Sequence, residues 1–144
     1  MVDNNVPRFD NIKGLVQDLV EKLDERMNAL REGTILETVR PSDAKTFMLA
    51  SRHPRTVADL AKAMDVSRQA THMSVQRLIA KGVIELQLAP GSRRDKIVVI
   101  TEAGNEARQI AAKNIKSLET ELVHKVGTNR LEEFRKTLID LLDS

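Results

Sequence analysis

Near Gly82 the hydrophobic period of this chain changes from that of a helix to that of a strand, directly after two short helical segments. Upstream, Thr56-Val57-Ala58-Asp59 has the spacing of a capping box, with Asp59 in place of the longer Glu, and opens a helix through Met64. Asp65-Val66 predicts a turn, and Ser67 is a good N-cap for a second helix over 68–81, closed by Gly82. Downstream, Ile84, Leu86 and Leu88 alternate with polar residues, the pattern of a half-buried strand. Pro90-Gly91 sets a turn, and Ile97 to Ile100 supplies a returning strand. Two helices joined across about three residues and followed by a hairpin make a winged helix-turn-helix. The tip of that wing carries Arg93, Arg94 and Lys96.

On either side the chain is helical. From Asn11 to Leu30, apolar residues at Ile12, Leu15, Val16, Leu19, Val20, Leu23, Met27 and Leu30 line one face of a helix ended by Gly33-Thr34. Pro41 suits the first position of a short helix carrying Phe47, Met48 and Leu49, stopped at His53-Pro54. A long helix is expected from about Glu102 to Lys125, broken by Gly127, and a last one carries Leu131, Phe134, Leu138, Leu141 and Leu142. The expected fold is mainly α with a small β-hairpin wing, in one domain over 1–144. Its winged-helix DNA-binding lobe spans about 40–101, and its dimerisation helices about 8–32 and 103–144. The terminal helices are longer than a winged helix needs, and a homodimer interface would bury their apolar stripes.

Several functions are disfavoured. The chain has no cysteine, which removes disulfides, cysteine-ligated zinc and thiol redox sensing. His53, His72 and His124 fall on different elements without metal-ligand spacing, and no nucleophile–base constellation is visible. No catalysis, metal or cofactor is therefore expected. With no Trp or Tyr and only three Phe, stacking of bases on aromatic platforms is disfavoured. No apolar run approaches a membrane span, and the opening MVDNN lacks a signal peptide's apolar stretch, so a cytoplasmic protein without a membrane partner is expected.

The charge is placed unevenly. The net charge is +2, yet residues 52–96 hold nine Lys and Arg against four Asp and Glu. On a helical wheel the 68–81 segment puts Thr71, Ser74, Val75 and Leu78 on the core side. Gln69, His72, Met73 and Gln76 face the other way, flanked by Arg68 and Arg77, with Ser67 at the helix start. Gln suits an adenine edge, Arg a guanine, and Met a thymine methyl. A plain solvated face is the alternative for the helix alone. Coupled to a basic wing suited to phosphates or a minor groove, the set points to double-stranded DNA. A winged helix whose basic face meets an acidic protein partner, without specific DNA binding, is the competing reading.

The chain resembles the MarR family of bacterial and archaeal transcription regulators over nearly its whole length. The residues that carry this are VADLAKAMDVSRQATHMSVQRLIAKGVIE (57–85) and RRDKIVVITEAG (93–104). Residues 93–104 are similar to the family's wing closing into a Leu-Thr-x-x-G helix start, here Ile100-Thr101 and Gly104. The resemblance implies an obligate homodimer built from the terminal helices, with recognition helices in the major grooves of a pseudo-palindromic operator and wings on the flanking minor grooves. It also implies a repressor relieved by a small-molecule effector, bound in many members between the dimer helices and the DNA-binding lobe. Three positions depart from the family. Ser92 stands where an acidic residue usually fixes the wing arginine, leaving the wing either looser or held through Asp95. Leu86 replaces a frequent Arg, and the cysteine of the peroxide-sensing branch is absent.

Overall fold

The computed structural model describes residues 10–143. The opening MVDNN and the expected helix start near residue 8 lie outside the described residues. The described residues divide into two compact units: Arg31–Ala112, and those up to Leu30 together with those from Lys113 onward. Among the described residues, six helices and one hairpin follow in the order α1 (Ile12–Arg31), α2 (Pro41–Arg52), α3 (Val57–Met64), α4 (Arg68–Ala80), β1 (Ile84–Leu88), β2 (Lys96–Ile100), α5 (Glu102–Val126) and α6 (Thr128–Leu142). The fold is mainly helical with a two-stranded antiparallel hairpin, a winged helix-turn-helix.

In the unit Arg31–Ala112 the helix boundaries follow from local chemistry. Pro41 opens α2, where its missing N–H is no loss, and extended His53 before Pro54 ends it. The Thr56 hydroxyl accepts from the Asp59 N–H at 3.1 Å and so caps α3. Asp65 then takes the left-handed conformation, φ 55°, which turns the chain into α4. The Ser67 hydroxyl accepts from the Ala70 N–H at 3.0 Å, the N-cap of α4. Lys81 caps the far end of α4, one residue short of the sequence expectation.

The core of this unit is one cluster. Leu60 from α3, Val75 and Leu78 from α4, Val83 and Ile84 at the start of the hairpin, Val98 from β2 and Ala107 from α5 are almost wholly buried among Phe47, Leu49 and Ala50 of α2. Burying each larger apolar side chain contributes roughly 1.5–3 kcal/mol. The hairpin pairs Ile84 with Ile100 through to Leu88 with Lys96, and Arg55 bridges to Val98 on the far side of β2.

Two strand expectations change. Lys96 opens β2 opposite Leu88 instead of standing in the turn. Leu88, expected on the half-buried face, is 54% exposed. Period two fixes which face a residue takes, but the hairpin runs past the core before it turns, so its outer end has nothing to pack on.

The close of the hairpin is tightly built. Thr101 donates its N–H to the Val83 carbonyl at 3.2 Å, and its hydroxyl donates to the Gly82 carbonyl while accepting from the Gly104 N–H at 3.0 Å. A Cβ at Gly104 would stand 2.1 Å from the Val83 carbonyl oxygen, so only glycine fits where α5 crosses that backbone.

The other unit is helical. The Asn11 carboxamide accepts from the Gly14 N–H at 2.8 Å and caps α1. Arg26 of α1 pairs with Glu121 of α5, and Arg135 of α6 with Glu119 of α5. Such exposed pairs contribute little to stability. No described residue of α6 is fully buried: Leu131 and Leu138 are half-buried, and Phe134, Ile139, Leu141 and Leu142 are exposed. On α1, Ile12, Val16 and Val20 are exposed as well.

Candidate nucleic-acid interface

Helix α4 separates its two faces cleanly. Thr71, Ser74, Val75 and Leu78 are buried. Gln69, His72, Met73 and Gln76 are exposed, and Met73 leaves 54% of its surface in water. A large apolar side chain so placed among polar neighbours does not serve the fold, and it suits contact with a base-edge methyl group. Arg68 stands exposed in the first turn. The Ser67 hydroxyl is engaged in the cap, so its first duty is to start the helix.

Arg77 is placed differently from the other residues predicted for this face. Its Nε donates to Asp43 Oδ2 and its Nη2 to Asp43 Oδ1, both at 2.9 Å, so the guanidinium is held side-on against α2. The Ser74 hydroxyl donates to the same Oδ1 at 2.6 Å, and Thr46 Oγ1 stands 3.0 Å from Ser74 Oγ while donating to the Ser42 carbonyl. Asp43 is 2% exposed. Burial alone would raise its pKa, but hydrogen bonds from Arg77 and Ser74 and the charges of Arg77 and Arg40 outweigh it. The carboxyl is held below the ordinary carboxylate range and remains ionised.

This cluster joins α2 to α4 beneath the exposed face, and the sequence reading did not find it. Its signal was present but easily missed: Asp43 and Thr46 occupy inward positions of α2 where an apolar residue would be ordinary. Between the two helices lies a shallow cleft of about 200 Å³, lined by Ser42, Lys45, Met64, Val66, Ala70 and Arg77 among others.

The wing tip is ordered by its backbone. Ser92 donates its N–H to the Ala89 carbonyl at 3.0 Å, closing a four-residue turn with Pro90 and Gly91 at its centre. Gly91 has φ 75°, as the third residue of a type II turn requires. The Ser92 hydroxyl accepts from the N–H groups of Arg94 at 3.2 Å and Asp95 at 2.9 Å, and the Asp95 carbonyl accepts from the Ala89 N–H at 2.7 Å. Asp95 therefore does hold the wing, through its main chain, and Ser92 fixes the path of the arginine backbone where a carboxylate would have fixed the side chain. Arg93, Arg94 and Lys96 are all exposed, with no ion pair among the described residues.

Among the described residues no group of three or more His, Asp or Glu could hold a metal ion, and no helix is long and apolar enough to cross a membrane.

Comparison with known proteins agrees with this architecture. The family model of the MarR family matches residues 47–95, from the middle of α2 to the wing tip. Among solved structures, wild-type MarR from E. coli in its apo form superposes with a TM-score of 0.76 at 20% identity, covering 94% of this chain and 99% of that one. A MarR-family transcriptional regulator from Rhodococcus sp. RHA1 gives a TM-score of 0.74 at 19% identity, covering 92% of each chain. Streptococcus pneumoniae FabT, solved in complex with DNA, gives 0.74 at 16%, covering 90% of this chain and 92% of that one. No curated protein matches the sequence. Residues 47–95 thus match the MarR family model, and the chain shares the fold of these MarR structures over 90–94% of its length.

Proposed function

We propose that this protein is a sequence-specific DNA-binding transcriptional regulator, a dimeric repressor relieved by a small ligand. The observation that carries the reading is the outward face of α4, where Gln69, His72, Met73 and Gln76 stand clear of every packing duty. It is supported by an ordered wing whose three exposed cations make no ion pair among the described residues, and by a fold shared with FabT, which was solved in complex with DNA. In this reading α4 enters the major groove, where Gln69 and Gln76 read base edges and Met73 meets a methyl group. Ser67, Arg68 and His72 border the contact, while Arg93, Arg94 and Lys96 meet phosphates or a minor groove. The exposed apolar residues of α1 and α6 support a homodimer, which would present two recognition helices to a pseudo-palindromic site.

Selection of bound duplexes from random DNA tests the proposal. The expected result is a recurrent two-fold motif that the protein retains against excess unrelated DNA. Recovery of no motif, with binding that disappears at moderate salt on all sequences, would overturn it.

A further inference from the structure

We propose that the cleft between α2 and α4 seats one backbone phosphate of DNA, held by Lys45 and by the outward N–H groups of Arg77. The inference rests on the reading that α4 lies in a major groove. Around the axis of α4, Ala70 and Arg77 fall between the exposed face and the buried one. The walls of a major groove are its phosphate strands, so a residue on the flank of an inserted helix meets backbone instead of bases. Ala70 and Arg77 line the cleft together with Ser42 and Lys45 of α2, which forms its other wall.

The basic edge of the cleft, Lys45 and Arg77, suits an oxyanion, while Met64 and Val66 give it apolar surface. Arg77 uses Nε and Nη2 toward Asp43, and no hydrogen bond among the described residues engages Nη1. A guanidinium already fixed by a carboxylate loses less freedom when it binds a second anion. The Asp43 side chain is 3% exposed against 32% for Arg77, so the arginine lies between the carboxylate and solvent. The pair is neutral as a unit, and the uncompensated charge comes from Lys45, which is exposed and makes no ion pair among the described residues. Arg77 therefore meets backbone and not guanine, and α2 contributes to the interface alongside α4 and the wing.

The test uses the full chain and a labelled duplex recovered by selection, with an unrelated duplex beside it. Lys45→Ala should weaken both roughly three- to tenfold and make the slope of log affinity against log salt shallower by about one. Its thermal stability should match the wild type. Single neutral methylphosphonates placed along the duplex should reveal one position per half-site where the wild type loses affinity and Lys45→Ala loses nothing more. Lys45→Arg should restore binding. An unchanged affinity and salt slope for Lys45→Ala, while Gln69→Ala still weakens the selected duplex, would remove the phosphate seat and leave the DNA reading intact. Weakening without any cancelling phosphate position would also overturn it. A wild-type chain that binds no duplex would end both proposals together.

Discussion

Asp43 and Arg77 are joined by two parallel hydrogen bonds of 2.9 Å that tie the buried start of α2 to the last turn of α4. Ser74, one turn before Arg77 on α4, closes on the same carboxylate at 2.6 Å. An amphipathic helix on an apolar bed can rotate a few degrees at small cost. Three directed bonds to one buried carboxylate hold it to a single setting, and that setting determines where Gln69, Met73 and Gln76 point.

Replacing Asp43 by Asn should therefore destabilise the protein. The amide offers one acceptor where the carboxylate offers two, and Arg77 loses its charge partner. The expected loss is about 2–4 kcal/mol, reduced from a fully buried pair because Arg77 is partly solvated. Urea unfolding followed by circular dichroism measures it. A change below about 0.5 kcal/mol, the range of an ordinary surface substitution, would show that the bonds do not hold α4.

The same pair predicts a pH dependence. The folded-state pKa of Asp43 lies below its unfolded value, so its contribution is present above the unfolded pKa and is lost as pH falls through the folded one. The stability difference between wild type and Asp43→Asn should be constant near neutrality and shrink below about pH 4. Denaturant midpoints across pH read this directly. A difference that persisted undiminished at the acid end would contradict the ionised pair.

Gly104→Ala should be more damaging than its size suggests. The new methyl would meet the Val83 carbonyl oxygen at 2.1 Å, and backbone cannot yield as a side-chain tip can. A loss of about 2–3 kcal/mol or more is expected, read as a lowered melting temperature. An unaltered melting temperature would mean that α5 can lift away from the hairpin freely.

Much of this was legible from the chain alone, for reasons that differ by element. Ser67, Gly82, Pro41 and Gly91 act within a turn of themselves, so their chemistry locates the helix and hairpin ends without tertiary knowledge. The outward set on α4 follows from period alone once Val75 and Leu78 are taken as core. Arg77 did not follow, because the wheel places it on the flank and only the fold brings Asp43 within reach across 34 residues. Leu88 failed for a related reason: alternation assigns a face, and the length of the core beneath it decides burial. Gly104 stands out in the sequence only through the family resemblance, and the close approach of the Val83 carbonyl supplies its physical reason.

The exposed apolar end of α6 predicts self-association. Leu141 and Leu142 are 71% and 83% exposed, more than a lone chain gains anything by showing to water. Changing both to Glu should convert a dimer into a monomer at micromolar concentration, with the winged helix still folded. Analytical ultracentrifugation distinguishes the states. A wild-type chain that sediments as a monomer would contradict the dimer.

The central claim is that the exposed face of α4 reads bases while the wing reads backbone, and one comparison tests it most directly. Affinities of Gln69→Ala, Gln76→Ala and the double change Arg93→Ala with Arg94→Ala are measured on a selected duplex and on its scrambled counterpart. Each Gln change should cost about 1–3 kcal/mol on the selected duplex at particular base pairs and leave scrambled binding nearly untouched. The wing double change should weaken both duplexes alike and make the salt slope shallower by about one unit per lost phosphate contact. Gln variants that weakened both duplexes equally, or a wing variant that altered neither affinity nor slope, would contradict the account.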